Sequence, residues 1–171
     1  MKGKILLLAL IVISGSLFLL LKPGQPLDKS VVIDKIVVEK GKRKLHIYSK
    51  GQLMKTYRIS IGRNPKGAKE VEGDRKTPEG LYYINDKNPN SGYYKNLGIS
   101  YPNKHDIEHA AKLGKKPGGL IKIHGLNNKR AWFGRLHLLK DWTFGCIALT
   151  NREIEELYAT VKIGTPIEIK P

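Results

Sequence analysis

The chain has one cysteine, Cys146, set directly after Gly145 and followed by the apolar run Ile147, Ala148 and Leu149. Only a thiolate is a good nucleophile, so a thiol that works at neutral pH needs a base or a positive field beside it. His124 is the candidate base. It closes the alternation Leu120, Ile121, Lys122, Ile123 and is followed at once by Gly125. Imidazole has the unperturbed pKa suited to taking a thiol proton. A His-Gly at one strand end and a Gly-Cys at another can bring nitrogen and sulfur together across a sheet. Alone, the cysteine reads as a small buried hydrophobe and the histidine as a satisfied structural residue. Each beside a glycine, they are also candidates for nucleophile and base.

Positioning such a pair requires a sheet, and the chain supplies strand signals. Val31–Val38 is rich in β-branched residues, and Leu45 and Ile47 alternate with His46 and Tyr48. Lys50-Gly51-Gln52 predicts a hairpin turn with Gly51 at positive φ, after which Met54 to Ile61 returns as a strand. In GDRKTPEGLYYI, Pro78 keeps Thr77 out of helix, Gly80 frees the turn, and Leu81–Ile84 resumes a strand. Lys87 to Asn96 is polar and turn-rich and reads as a loop, and Leu97–Asn103 as a short strand in which Tyr101 packs. Asp106 to Leu113 predicts a short helix. His105 and His109 lie four apart there, but neither an HExxH pattern nor a third ligand accompanies them, so no metal is assigned. Gly114–Gly119 loops into the strand Leu120–His124. Leu126 to Asp141, with Trp132, Phe133, Arg135 and His137, is long for a hairpin and reads as a lid or binding loop, with Trp142 just beyond it. Thr150 and Glu153 form a capping-box pattern opening a helix Arg152–Tyr158, and Val161–Ile169 gives a turn and closing strand.

The first residues carry two lysines, and residues 5–21 form a low-polarity run whose 17 positions would reach about 26 Å as a helix, near the lower limit for a span. No small-x-small pair closes the run. Residues 1–24 are therefore expected to be a signal anchor or signal peptide, residues 25–31 a linker, and residues 32–171 one domain outside the cytoplasmic membrane. A single unpaired thiol in an exported chain is exposed to oxidation, which favours a chemical use for it. The formal net charge is +16. With an export segment in front, that charge points to an anionic envelope surface as partner rather than nucleic acid.

The order His124, then Thr143, Phe144, Gly145, Cys146 and Ile147, resembles the L,D-transpeptidase catalytic domain, the YkuD-type family, over roughly Ile33 to Ile169. The GDRKTPEG phrase is similar to a corner beside that family's cleft. Phe144 stands where most members have a second His, and Ala148 where they have Arg or Asn. The wording DWTFGCIAL with Asn151 is closer to the YafK-type branch, some of whose members hydrolyse rather than cross-link. The resemblance implies a mainly β fold, an L,D-transpeptidase-like β-sandwich with two short helices, acting on peptidoglycan stem peptides in cell-wall organisation and cell shape. It implies Cys146 as nucleophile, His124 as base, amides around Gly145 as oxyanion donors and Thr143 as support for the loop. With Phe144 in place of the second His, His137 is expected to supply a donor, oriented by Asp141, and Gly125 and Trp142 to support the site. No metal or organic cofactor is required. Two other readings stand beside this one. A sortase-like acyl-transferase also has His before Cys, but its TLxTC-type segment and downstream Arg are unmatched. A non-catalytic cell-wall binding module is the other.

Overall fold

The computed structural model describes residues 25–171, so the expected anchor at 5–21 lies outside the described residues. Among the described residues no helix is long and apolar enough to cross a membrane. The chain runs through β1 (Lys35–Glu39), β2 (Lys44–Ser49), β3 (Gln52–Arg58), β4 (Gly80–Ser91), β5 (Tyr94–Ile99), α1 (Lys104–Lys112) and β6 (Lys122–His124). A 3-10 segment (Asn128–Leu139), β7 (Ile147–Ala148), α2 (Asn151–Thr160) and β8 (Pro166–Lys170) complete it. The strands form one mixed sheet in the order β3-β2-β1-β8-β4-β5-β6-β7, with β1/β8 and β6/β7 parallel and the other neighbours antiparallel. The expected sandwich is thus a single sheet, and three helical segments replace the two expected.

Period-two burial builds this sheet. Ile36 and Val38 on β1, Leu45 and Ile47 on β2, Tyr82 and Ile84 on β4 and Ile167 and Ile169 on β8 all enter one core. Each such side chain contributes on the order of 1.5–3 kcal/mol by leaving water. The β2–β3 turn has Lys50 at φ 51° and Gly51 at φ 79°, the double positive φ of a type I′ hairpin.

The sheet curls until its outer edges meet. Beyond β3, Ser60 bridges Ala148 and Gly62 bridges Thr143. Ser60 N–H donates to the Ala148 carbonyl at 3.1 Å, and Ala148 N–H returns the bond at 2.8 Å. The two-residue β7, which follows Cys146, is therefore held by β6 on one edge and by residues 60–62 on the other. This half-barrel closure fixes the site.

Buried charges organise the long β3–β4 connection. The Asp74 carboxylate accepts from the N–H groups of Glu70, Val71 and Lys76 and pairs with Lys69 at 2.8 Å. Lys40, 1% exposed, donates to the carbonyls of Gly67 and Thr77 and to Glu79. Thr77 Oγ1 in turn accepts from Gly62 N–H at 3.0 Å. The corner read from GDRKTPEG is thus stapled to the strand extension that supports β7.

Two of the differences from the sequence reading have a plain physical cause. Residues 87–96, expected as a loop, belong to the β4–β5 hairpin, with Lys87 opposite Leu97 and Asn88 opposite Asn96. Pairing between β4 and β5, not their own composition, makes them strand. Helix α1 starts at Lys104, because Asn103 caps it by accepting from Asp106 N–H while Asp106 accepts from Asn103 N–H. The box at Thr150 and Glu153 caps α2.

Candidate active site

His124 ends β6, and Cys146 immediately precedes β7. The parallel register pairs Ile123 with Ile147 and His124 with Ala148, so one step back sets Lys122 beside Cys146. Alternation then puts Lys122, His124 and Cys146 on one face. All three line a cleft of about 810 Å³. Cys146 is partly buried, and its thiol reaches toward the Leu120 carbonyl at 3.6 Å.

The imidazole of His124 is held by its Nδ1, 2.7 Å from the Gly125 carbonyl. A carbonyl only accepts, so Nδ1 carries the proton and Nε2 keeps a lone pair that can accept one. Burial holds His124 below the ordinary histidine pKa despite the Gly125 bond, and the nearby Lys122 charge adds to the depression. Burial pushes the Cys146 thiol up, against the opposing pull of the Lys122 backbone N–H and the charges of Lys122 and Lys69. Both shifts favour the neutral thiol and the neutral imidazole over the thiolate–imidazolium pair.

Aromatic rings wall the imidazole. Tyr93 lies 4.7 Å from it and Trp142 meets it edge-on at 5.7 Å, while Tyr93 and Trp142 stack at 6.1 Å. Both glycines beside the pair are sterically required. A Cβ at Gly125 would fall 2.7 Å from Asn151 Oδ1, which accepts the Leu126 N–H at 2.8 Å and clamps the chain leaving His124. Gly145 has φ +126°, and a Cβ there would meet the Lys76 carbonyl oxygen at 2.6 Å.

Thr143 braces the nucleophile loop from within. Its hydroxyl donates to the Cys146 carbonyl at 2.7 Å and accepts the Gly145 N–H at 3.1 Å. His137 lines the cleft and is 9% exposed. Trp142 Nε1–H points to its Nδ1 at 3.4 Å, and its Nε2 is buried without a partner among the described residues. Asp141 does not orient it, contrary to expectation. Its carboxylate is taken by a bidentate Arg43 pair and by the Ile61 N–H, which tie the end of the 126–141 loop to the sheet. Phe144 is exposed at the cleft rim, with the guanidinium carbons of Arg63 and Arg75 at 4.9 and 5.5 Å from its ring.

Sequence reasoning passed over Lys122, Tyr93 and the Asn151 clamp. Lys122 was within reach, since a residue two before His124 on a strand shares its face. Tyr93 carried no signal, because its polar neighbours disguise the hairpin that delivers it.

The L,D-transpeptidase catalytic domain (YkuD) profile matches residues 33–169. The chain is 32% identical over 132 residues to the L,D-transpeptidase-type protein YafK of Escherichia coli K12, covering 74% of this chain and 46% of that one. Among solved structures it resembles the helical cell shape determining protein Pgp2 of Campylobacter jejuni, at 27% identity and TM-score 0.59, over 81% of this chain and 50% of that one. An L,D-transpeptidase of Mycobacterium smegmatis shares the fold at 13% identity and TM-score 0.55, over 81% of this chain and 59% of that one. The chain thus spans about half the length of these relatives.

Proposed function

This chain belongs to the L,D-transpeptidase catalytic domain family, and from that membership we propose that it transfers acyl groups of peptidoglycan stem peptides through a Cys146 thioester. The observation that carries the reading is the Gly125 carbonyl bond to His124 Nδ1, which leaves Nε2 basic on the cleft face it shares with Cys146.

The steps follow from the residues. As Cys146 Sγ attacks the carbonyl carbon of the third-residue diamino acid, His124 Nε2 takes the thiol proton. The carbonyl oxygen becomes an oxyanion. Gly145 N–H is spent on Thr143, so the Cys146 N–H is assigned as the oxyanion donor. Collapse breaks the amide bond, and the proton on His124 passes to the departing amine. Water or an amine from another stem then attacks the thioester, His124 takes its proton, and the thiol is restored. With an amine the product is a cross-link, and with water it is a hydrolysed stem, the L,D-carboxypeptidase or amidase outcome.

The same reading assigns the domain to the cell envelope, outside the cytoplasmic membrane, with residues 1–24 as anchor or signal, 25–31 as linker and 32–171 as the catalytic unit. Its excess of basic residues suits an anionic envelope surface. Incubation of the protein with isolated peptidoglycan, followed by muropeptide separation, tests the activity. New dimers identify transfer, and shortened or released stems identify hydrolysis. Cys146→Ala is expected to lose either product. An unchanged muropeptide profile with the unsubstituted chain would refute the proposal.

A further inference from the structure

The cleft that holds Cys146 is lined by Arg63, Lys122, Lys129, Arg130 and Lys140 and, among the described residues, by no aspartate or glutamate. Of these cations only Lys122 stands in register beside the nucleophile, on its face of the sheet. Its side chain is 27% exposed, and its ammonium is loosely held. Asp86, itself 54% exposed, lies 3.6 Å away, and Asn96 Oδ1 lies at 3.4 Å. Lys69, the other lysine whose charge reaches the sulfur, is by contrast neutralised by Asp74 at 2.8 Å, both side chains being 10% exposed or less. Lys122 is thus a half-buried positive charge in register beside the reacting atom, held only by a 3.6 Å ion pair to the exposed Asp86 and a 3.4 Å hydrogen bond to Asn96.

We propose that Lys122 is a specificity residue whose ammonium receives a free carboxylate of the acyl donor next to the scissile carbonyl, so that acid forms of the donor react in preference to amidated ones. The proposal rests on the acyl-transfer reading above and adds to it the charge requirement of the substrate. Two carboxylates of a short stem peptide come that near the scissile carbon: the side-chain carboxylate of the acylated diamino acid, and the terminal carboxylate of the residue that leaves.

Alkylation of Cys146 by iodoacetate and by iodoacetamide tests the charge without any peptidoglycan chemistry. The two reagents are close in size and differ by one negative charge. Lys122→Met is expected to lower the iodoacetate-to-iodoacetamide rate ratio about fourfold at low salt, and Lys122→Arg to preserve it. Any change in thiolate fraction affects both reagents equally and cancels in the ratio. A second arm compares tetrapeptide donors carrying amides at the diamino-acid carboxylate or at the terminal carboxylate. The unsubstituted enzyme is expected to favour the acid at one of these two places by roughly tenfold in kcat/KM, mostly through KM, and Lys122→Met to erase that preference. Whichever amide is penalised identifies the carboxylate. An alkylation ratio unmoved by Lys122→Met, or equal turnover of acid and amide donors, would overturn the proposal. Absence of turnover with every donor would instead refute the acyl-transfer reading, and the alkylation ratio would still decide the charge.

Discussion

His124→Ala is expected to slow thioester formation by about 10²- to 10⁴-fold, the range supplied by a positioned general base, and to reshape the pH profile. In the acyl-transfer proposal the base is a neutral imidazole, and burial holds His124 below the ordinary histidine pKa. Acylation therefore persists as the pH drops below about 6.5 and fails only when the depressed pKa of His124 is passed. Without His124 the sulfur must ionise unaided, and burial has pushed its pKa up. The residual rate should then climb about tenfold per pH unit through neutrality, following the thiolate fraction. Rates of covalent adduct formation with a carbapenem, read by mass from pH 5 to 9, measure both effects. Equal profiles for the two proteins would remove His124 from the mechanism.

Acid is expected to unfold the domain through His137. Burial, aided by the charges of His124 and Arg135, pushes this imidazole down to about 4. An unfolded histidine titrates near 6.5, so between these values the unfolded chain binds the proton that the folded chain refuses. Stability consequently falls as the pH drops below 6.5, and this one group removes roughly 3 kcal/mol by pH 4 at about 1.4 kcal/mol per unit. His124 is shifted in the same direction and adds to the loss. His137→Phe removes the titrating group while keeping the ring volume beside Trp142. Urea unfolding at pH 7 and pH 4 should show a clearly smaller drop for the variant. Parallel losses in the two proteins would contradict the assignment.

Much of the β architecture was legible because period-two alternation marks it, as Leu45 and Ile47 against His46 and Tyr48 do, and because Lys50-Gly51 permits little but a tight hairpin. The Thr150–Glu153 box was legible for the same local reason. What escaped depends on partners distant in sequence. Asp141 meets Arg43 across 98 positions, and nothing near Asp141 marks it as part of a sheet anchor rather than an imidazole's partner. Lys40 sits among surface lysines in the chain, yet its ammonium is buried under three oxygens of the β3–β4 connection. Polar residues 87–91 become strand because β5 pairs with them. The curl that joins Ser60 to Ala148 arises from the twist of the whole sheet rather than from any short motif. In the candidate site, the two glycines were legible only as neighbours of the pair, not as close-approach positions. The atoms they approach, the Lys76 carbonyl oxygen and Asn151 Oδ1, were not legible.

Intact mass spectrometry of the protein mixed with a tetrapeptide stem and quenched in acid addresses the thioester directly. The expected spectrum shows the protein plus the acyl tripeptide mass, the adduct maps to the Cys146 peptide, and hydroxylamine removes it. A protein that releases product while no adduct forms, or that carries the same adduct in Cys146→Ala, would contradict attack by this sulfur.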